Sequence, residues 1–357
     1  MAKYKVLLGD TMFPKEFPGR AGVLAKAAEW GLDVEVTEVT ENTEDQLIAL
    51  GADADAVIIM RNLVTRRVAE NLKKCKLVIK PAIGIDQIDI PACTEHGIPV
   101  ANVPTYCIGE VADHTMALLL SVIRYIPNRN SAIKGGAWRI PDPYIPRLSE
   151  TVLGILGFGR IAKAVAERAK PFVKEVWAYD PYLPDSVFEH AGVKRVTDLS
   201  EMWANVDELS INLPLTNETR GMINAEILSQ MKPTAVIVNT GRGPIINESD
   251  LCDAIENGTI LGAGLDVFEI EPLPADSRLR SLDRVVLTSH QGSYSDRSIP
   301  QLMDSCLEEV MQALSGQPIE GQVNRRELSQ LRCHIGLEKS IIYHTIKGGS
   351  ISNVSTV

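Results

Sequence analysis

Residues 151–180 restrict what this chain can fold into more than any other stretch. Thr151 opens a short apolar run, Val152 to Leu156, of the kind buried on both faces of a parallel sheet. Gly157-Phe158-Gly159-Arg160-Ile161-Ala162 follows, a G-x-G-x-x-A pattern. The first two glycines permit a tight turn and a close approach to a pyrophosphate, and the small third residue lets helix and strand pack. From Arg160 the pattern becomes helical, with Ile161, Val165 and Ala169 on one face. The start of such a helix offers free N–H groups and a positive dipole end to phosphate. Val176 to Tyr179 reads as the next strand, and Asp180 at its end can accept both ribose hydroxyls. That carboxylate would repel a 2′-phosphate, and Pro181-Tyr182 offers no arginine to receive one. The unit is therefore expected to bind NAD rather than NADP.

A chain of 357 residues exceeds one ordinary core and suits two domains. Its net charge of −10 gives no electrostatic basis for holding nucleic acid or an anionic membrane. The most apolar run, Met116 to Ile123, is far too short to span a bilayer, and the N-terminus has no signal-peptide core. Cys75, Cys93, Cys107, Cys252, Cys306 and Cys333 are scattered without C-x-x-C spacing. Reduced thiols in a cytoplasmic protein, with no metal site, are the simplest reading.

The first hundred residues alternate between strand and helix. Lys5 to Gly9, Val34 to Val39, Ala56 to Met60 and Leu77 to Ile79 read as strands. Arg20 to Trp30 (Val23, Leu24 and Ala27 inward), Thr43 to Leu50 and Val68 to Lys74 read as helices. This is the pattern of a parallel α/β domain, whose ligands sit at the C-terminal ends of strands. Two loops lie there, Arg61 to Val64 and Lys80 to Asp86. Backbone amides around Ala82, Ile83 and Gly84 could hold a small carboxylate, and a plain turn is an equal alternative. Asn102 to Tyr106 reads as the crossing into a second domain. Gly109 to Tyr125 reads as a helix apolar on all sides and hence buried, with His114 as a structural histidine within it. The polar stretch 126–149 suits an arm that lies on a partner subunit.

Beyond the glycine motif, Glu208 to Thr216, Ala235 to Thr240, Leu261 to Val267 and Arg284 to Ser289 read as further strands. Arg242, Asp266, Glu271 and His290 thus fall at or just past C-terminal strand ends, on the edge that carries the glycine loop. Such a set suits carbonyl reduction. Negative charge developing on a ketone oxygen needs a proton donor and a nearby cation. His290 is read as the acid/base, Glu271 as the carboxylate that orients it, and Arg242 as the anchor for a substrate carboxylate. Asp266 is read as orienting the nicotinamide carboxamide.

Several stretches together resemble the D-isomer-specific 2-hydroxyacid dehydrogenase family. They are Gly84-Ile-Asp86-Gln-Ile-Asp89, His96 to Pro104, Gly109-Glu-Val-Ala-Asp-His114, Leu156 to Arg160, Leu213 to Arg220, Val238 to Gly243, Gly264 to Phe268 with Glu271-Pro272, and Leu287 to His290. The resemblance spans residues 1 to about 327. It implies two Rossmann-like α/β domains: a flavodoxin-like substrate domain (1–102 and 298–327) and a doubly wound parallel-sheet NAD-binding domain (103–297). It also implies a homodimer built on the nucleotide-binding domains, with 126–149 as dimerisation arm, and a small 2-oxo or D-2-hydroxy acid as substrate. Arg242, Glu271 and His290 match the family's catalytic positions. The cofactor set is then Gly157, Phe158, Gly159, Arg160, Ile161, Asp180, Leu213, Pro214, Thr219, Thr240, Gly241, Arg242, Asp266, His290 and Gly292. The substrate set is Arg61, Lys80, Ala82, Ile83, Gly84, Tyr106, Arg242 and His290. The last long helix, Ser298 to Leu314, has Ile299, Met303, Leu307, Val310 and Leu314 on one face.

Tyr179 to Asp185 and Tyr294-Ser295-Asp296 look most like the branch holding the C-terminal-binding-protein corepressors and their bacterial relatives. The chain departs from the pattern at Ala82, where a glycine is usual, and at the preceding Pro81. It departs also at Lys80, where that branch has arginine, and at Ser293, where it has tryptophan. Residues 328–357 form an extension, with Ile335 to Ile346 moderately apolar and a tail rich in Ser and Thr from Gly348. The reading is an NAD-dependent dehydrogenase. A non-catalytic NAD-sensing scaffold and an NAD enzyme of unusual substrate are the alternatives.

Overall fold

The computed structural model describes residues 3–12, 19–139 and 143–330. These divide into two compact units, one of residues up to Tyr106 and from Pro300 onward, the other Cys107–Ile299.

The first unit holds a five-stranded sheet: β1 (Tyr4–Leu8), β2 (Val34–Glu38), β3 (Ala56–Ile58), β4 (Leu77–Lys80) and β5 (Val100–Asn102). The order is β2-β1-β3-β4-β5 and every pairing is parallel. This is the flavodoxin-like winding, which reverses between β1 and β3. Side-chain caps start its helices where the residue types allow. Thr43 accepts from the Gln46 N–H ahead of Glu44–Gly51, and Thr65 from the Val68 N–H ahead of Arg66–Asn71. Two sequence expectations change here. A fifth strand, not expected from the sequence, runs into the stretch read as a crossing, because Val100, Ala101 and Asn102 pair with β4. Leu24, expected inward, is 41% exposed, while Val23 and Ala27 are buried.

The second unit is a seven-stranded parallel sheet ordered β12-β11-β10-β9-β6-β7-β8. Its strands are β6 (Val152–Leu156), β7 (Glu175–Tyr179), β8 (Lys194–Arg195), β9 (Glu208–Ile211), β10 (Val236–Asn239), β11 (Gly262–Leu265) and β12 (Val285–Leu287). The winding reverses between β6 and β9, where a doubly wound sheet opens its ligand crevice. Helices Ile108–Ile123 and Arg160–Ala169 cover one face, contributing Met116, Leu119, Val122, Ile123, Val165 and Ala169 to a common core. The first of these ends sooner than its apolar run suggests. Tyr125 adopts a left-handed φ of 56°, which breaks the helix and starts a second one at Ile126–Lys134. That second helix buries none of its residues. Helix Ser298–Ser315, which from Pro300 onward belongs to the first unit, buries Leu302, Cys306, Leu307, Val310, Met311 and Leu314. This face is rotated from the expected one, and Ile299 and Met303 are only half-buried. Among the described residues, no helix is long and apolar enough to cross a membrane. The expectations for Ile335 to Ile346 and for the tail lie outside the described residues.

Candidate active site

Gly157 follows β6 with φ +77°, and a Cβ there would meet the Asn212 carbonyl oxygen at 2.9 Å. The turn therefore demands glycine for both conformation and space. Gly159 precedes helix Arg160–Ala169 and supplies no side-chain cap, and a Cβ on it would find nothing within 4 Å. The first N–H groups of the helix are thus left for a ligand, as a pyrophosphate requires. Asp180 lies just past β7 and accepts from the N–H groups of Phe158 and Tyr182, both at 3.0 Å. This ties the carboxylate to the glycine turn, in the place where a ribose diol would meet it. Phe158 is wholly buried and stacks on Phe188 with ring centroids 5.1 Å apart. Its side chain belongs to the core, so only its backbone is left to meet a ligand. Leu213, Pro214 and Thr219 form the loop after β9, closed by the Thr219 hydroxyl donating to the Pro214 carbonyl at 2.7 Å.

The loop after β10 carries Thr240, Gly241 and Arg242. Asn239, fully buried, organises it: its Oδ1 accepts the Gly241 N–H at 3.0 Å and its Nδ2 donates to the Arg242 carbonyl at 2.9 Å. Thr240 shares a hydrogen bond of 2.8 Å with Thr115. A Cβ on Gly243 would lie 1.9 Å from the backbone of Phe268, so this loop and the one after β11 touch backbone to backbone.

His290 and Glu271 come together. The imidazole Nδ1 lies 2.7 Å from Glu271 Oε2, while Oε1 accepts the Phe268 N–H at 3.0 Å. Burial would raise the pKa of Glu271, but the bond to His290, its charge, the Phe268 amide and the charge of Arg242 outweigh it. The carboxyl is held below its ordinary value. Glu271 is then ionised at neutral pH and can only accept, so Nδ1 carries the proton and Nε2 is the ring nitrogen left outside this pair. The His290 side chain is 50% exposed, and Nε2 has no partner among the described residues. Its backbone is left-handed, with φ 53°. For a residue with a Cβ this costs about 1–2 kcal/mol, and such strain gathers at functional sites.

Asp266 holds that strained segment. Its carbonyl accepts the His290 N–H at 2.7 Å, and its carboxylate accepts from the Thr288 hydroxyl (2.6 Å) and from the N–H groups of Gln291 (2.9 Å) and Gly292 (2.8 Å). Burial pushes its pKa up, but the nearby His114 ring, the Thr288 hydroxyl and the two amides prevail and hold it low. At 2% exposure, Asp266 is thus the internal clamp of residues 288–292.

In the first unit, Asp10 holds a candidate site loop in a way that local periodicity does not reveal. Buried at the end of β1, it accepts the N–H groups of Met60 (2.5 Å), Arg61 (3.0 Å) and Asn62 (2.9 Å) and so shapes the loop that exposes Arg61. Lys80 ends β4 and is 7% exposed, its ammonium bonded to the Gln87 side chain. The next loop departs from the carboxylate nest in one respect. The Ala82 N–H is spent on the Lys80 carbonyl (2.8 Å), which leaves the amides of Ile83 and Gly84 without partners among the described residues. Asn102 donates to the Ile83 carbonyl at 2.5 Å, and Tyr106, 9% exposed, lies just beyond. Among the described residues, no cluster of His, Cys, Asp and Glu could hold a metal ion.

The family model described as "D-isomer specific 2-hydroxyacid dehydrogenase, NAD binding domain" matches residues 116–292. A D-3-phosphoglycerate dehydrogenase from Methanocaldococcus jannaschii is 35% identical over 331 residues, covering 90% of this chain and 63% of the relative. The chain thus spans less than two thirds of the length of such curated relatives. Among solved structures, an NADPH-dependent glyoxylate/hydroxypyruvate reductase from Sinorhizobium meliloti, in complex with NADP and malonate, superposes with a TM-score of 0.80 at 26% identity. It covers 92% of this chain and 98% of its own. A D-lactate dehydrogenase from Aquifex aeolicus, complexed with NAD and lactic acid, gives 0.74 at 25% identity, covering 87% and 96%. These relatives are dehydrogenases and reductases, and none of them supports the corepressor-like branch.

Proposed function

The chain belongs to the D-isomer-specific 2-hydroxyacid dehydrogenase family, and from that premise we propose that it reduces a small 2-oxo acid, or oxidises the matching D-2-hydroxy acid, with NAD(H). The observation that carries this reading is the Glu271–His290 pair at 2.7 Å on the sheet edge that also bears the glycine turn. Gly157, Gly159 and the uncapped helix start suit the pyrophosphate, and Asp180 suits the ribose of an NAD lacking a 2′-phosphate. Bound NADH supplies the hydride. The chain's own part is to hold the acid and move a proton. Arg242 grips the substrate carboxylate through its planar fork, and His290 Nε2 delivers a proton to the carbonyl oxygen as negative charge develops there. Glu271 fixes the ring's tautomer and orientation. In the oxidative direction the same nitrogen takes the proton back.

Arg61 and Lys80 stand at the C-terminal ends of the neighbouring strands β3 and β4. Two cations at one edge favour an acid that carries a second anionic group, in keeping with the phosphoglycerate in the name of the M. jannaschii relative. The test is NADH oxidation with a panel of 2-oxo acids: glyoxylate, hydroxypyruvate and its 3-phosphate, pyruvate and phenylpyruvate. A single preferred acid establishes the reading, and preference for the phosphate supports the second anion. A flat panel with NADH still bound tightly would replace the reading with a cofactor-sensing scaffold.

Asp180→Ala should narrow the preference for NAD over NADP. An unchanged ratio of kcat/KM for the two cofactors would remove Asp180 as the selector. The working form is read as a homodimer. Ile126, Ile133 and Trp138 are 52%, 53% and 86% exposed on an arm whose helix buries nothing, a surface that a second copy would cover. Sedimentation velocity of the full chain at monomer mass would dismiss it. Cytoplasmic residence fits the five described cysteines, all free thiols.

A further inference from the structure

His114 is read from sequence as a structural histidine of the helix Ile108–Ile123, yet its ring reaches the clamp beneath His290. Its Nε2 lies 2.8 Å from the Thr288 hydroxyl and 3.4 Å from Asp266 Oδ1. The Thr288 hydroxyl has one proton, and it goes to Asp266 Oδ1 at 2.6 Å, since an ionised carboxylate cannot donate. The bond from His114 must therefore run from Nε2–H to the Thr288 oxygen, which sets the tautomer of His114. The ring also lies against Gly292, where a Cβ would meet His114 Cδ2 at 3.3 Å and Asp266 Oδ2 at 3.0 Å. Gly292 is thus bare because Asp266 and His114 occupy the space a side chain would need.

The chain of contacts is continuous and lies within one unit: His114, then Thr288 and Asp266, then the backbone of 290–292. His290 sits there in a left-handed conformation that its own preferences oppose, so its placement depends on these bonds. We propose that His114 is a positioning residue for hydride transfer: its Nε2–H fixes Thr288 and Asp266, and through them the strained segment that presents the His290 imidazole. The inference rests on the dehydrogenase reading for its kinetic consequence, but not for the network itself.

The variants are His114→Phe, which keeps the ring's bulk without a donor, and His114→Gln, whose amide can place an N–H near Nε2. Thr288→Val reads the same contact from its other end should His114→Phe fail to fold. Two readouts are taken on the full chain: kcat with the preferred 2-oxo acid, and hydrogen exchange of the Gln291 and Gly292 amides. His114→Phe and Thr288→Val should each lower kcat about tenfold, with KM for NADH unchanged and both amides exchanging faster. His114→Gln should stay within about threefold of the parent. Equal damage in His114→Gln and His114→Phe would mean that a donor at the Nε2 position is not what matters and would overturn the proposal. So would unaltered exchange in both His114→Phe and Thr288→Val. A parent chain inert on the whole panel refutes the dehydrogenase reading instead, and amide exchange alone then decides the network.

Discussion

His290→Ala should abolish reduction of the 2-oxo acid, by about 10²–10⁴-fold in kcat, while NADH binds almost as before. The reason lies in what the side chain touches. Its Nδ1 is committed to Glu271, and its half-exposed ring presents Nε2 as the proton donor. No buried cavity is left when it is truncated, so the fold should survive. The left-handed backbone supplies a control, because His290 occupies φ 53° and asparagine tolerates that region well. His290→Asn should be as inactive as His290→Ala. If asparagine restored activity, backbone placement and not the imidazole would be what matters. Steady-state kinetics on the preferred acid, with NADH binding followed by fluorescence, separates these outcomes, and an alanine variant keeping more than about a tenth of its kcat would end the acid role.

Gly243→Ala should damage the protein far beyond the size of one methyl group. The added carbon would sit 1.9 Å from both the carbonyl carbon and oxygen of Phe268 and 2.5 Å from its Cα. These are backbone atoms, so no rotamer change relieves the overlap, and one loop must retreat. Both loops matter, since Gly243 adjoins Arg242 and the Phe268 N–H holds Glu271. Overpacking of this kind costs about 3 kcal/mol, which lowers the melting temperature by roughly 5–10 °C. The loss in kcat/KM should exceed what the lower stability explains at an assay temperature where the variant is still folded. Gly159→Ala is the matched control. Its φ is −74° and a Cβ there meets nothing within 4 Å, so its melting temperature should barely move. Calorimetry on the two variants checks this, and a Gly243→Ala protein that melts with the parent would mean the two loops can part freely.

Both expectations rest on residues that stand out in the amino-acid sequence, and much of the fold does too. Alternating apolar runs and helical periods lay out two parallel α/β units, because strand and helix periods are local properties of consecutive residues. The glycine turn with Asp180 is legible for the same reason: its five parts follow one another within thirty residues. Arg242, Glu271 and His290 are legible as a set because parallel strands deliver all their C-terminal ends to one edge. Residue identity and chain order were enough for that.

What only the tertiary structure decided is how those residues are held. Asp10 shapes the Arg61 loop across fifty residues, and His114 meets Thr288 across 174. Asp266, read as a cofactor contact, spends its carboxylate on the segment that bears His290. Leu24 turned outward and the last helix rotated its buried face, because packing partners choose among apolar residues that periodicity cannot rank. Local sequence determines which elements form and which chemical groups reach the sheet edge. Hydrogen bonds between distant segments determine tautomer, backbone strain and loop shape, and no local pattern encodes them, since each partner looks ordinary until the fold brings the other alongside.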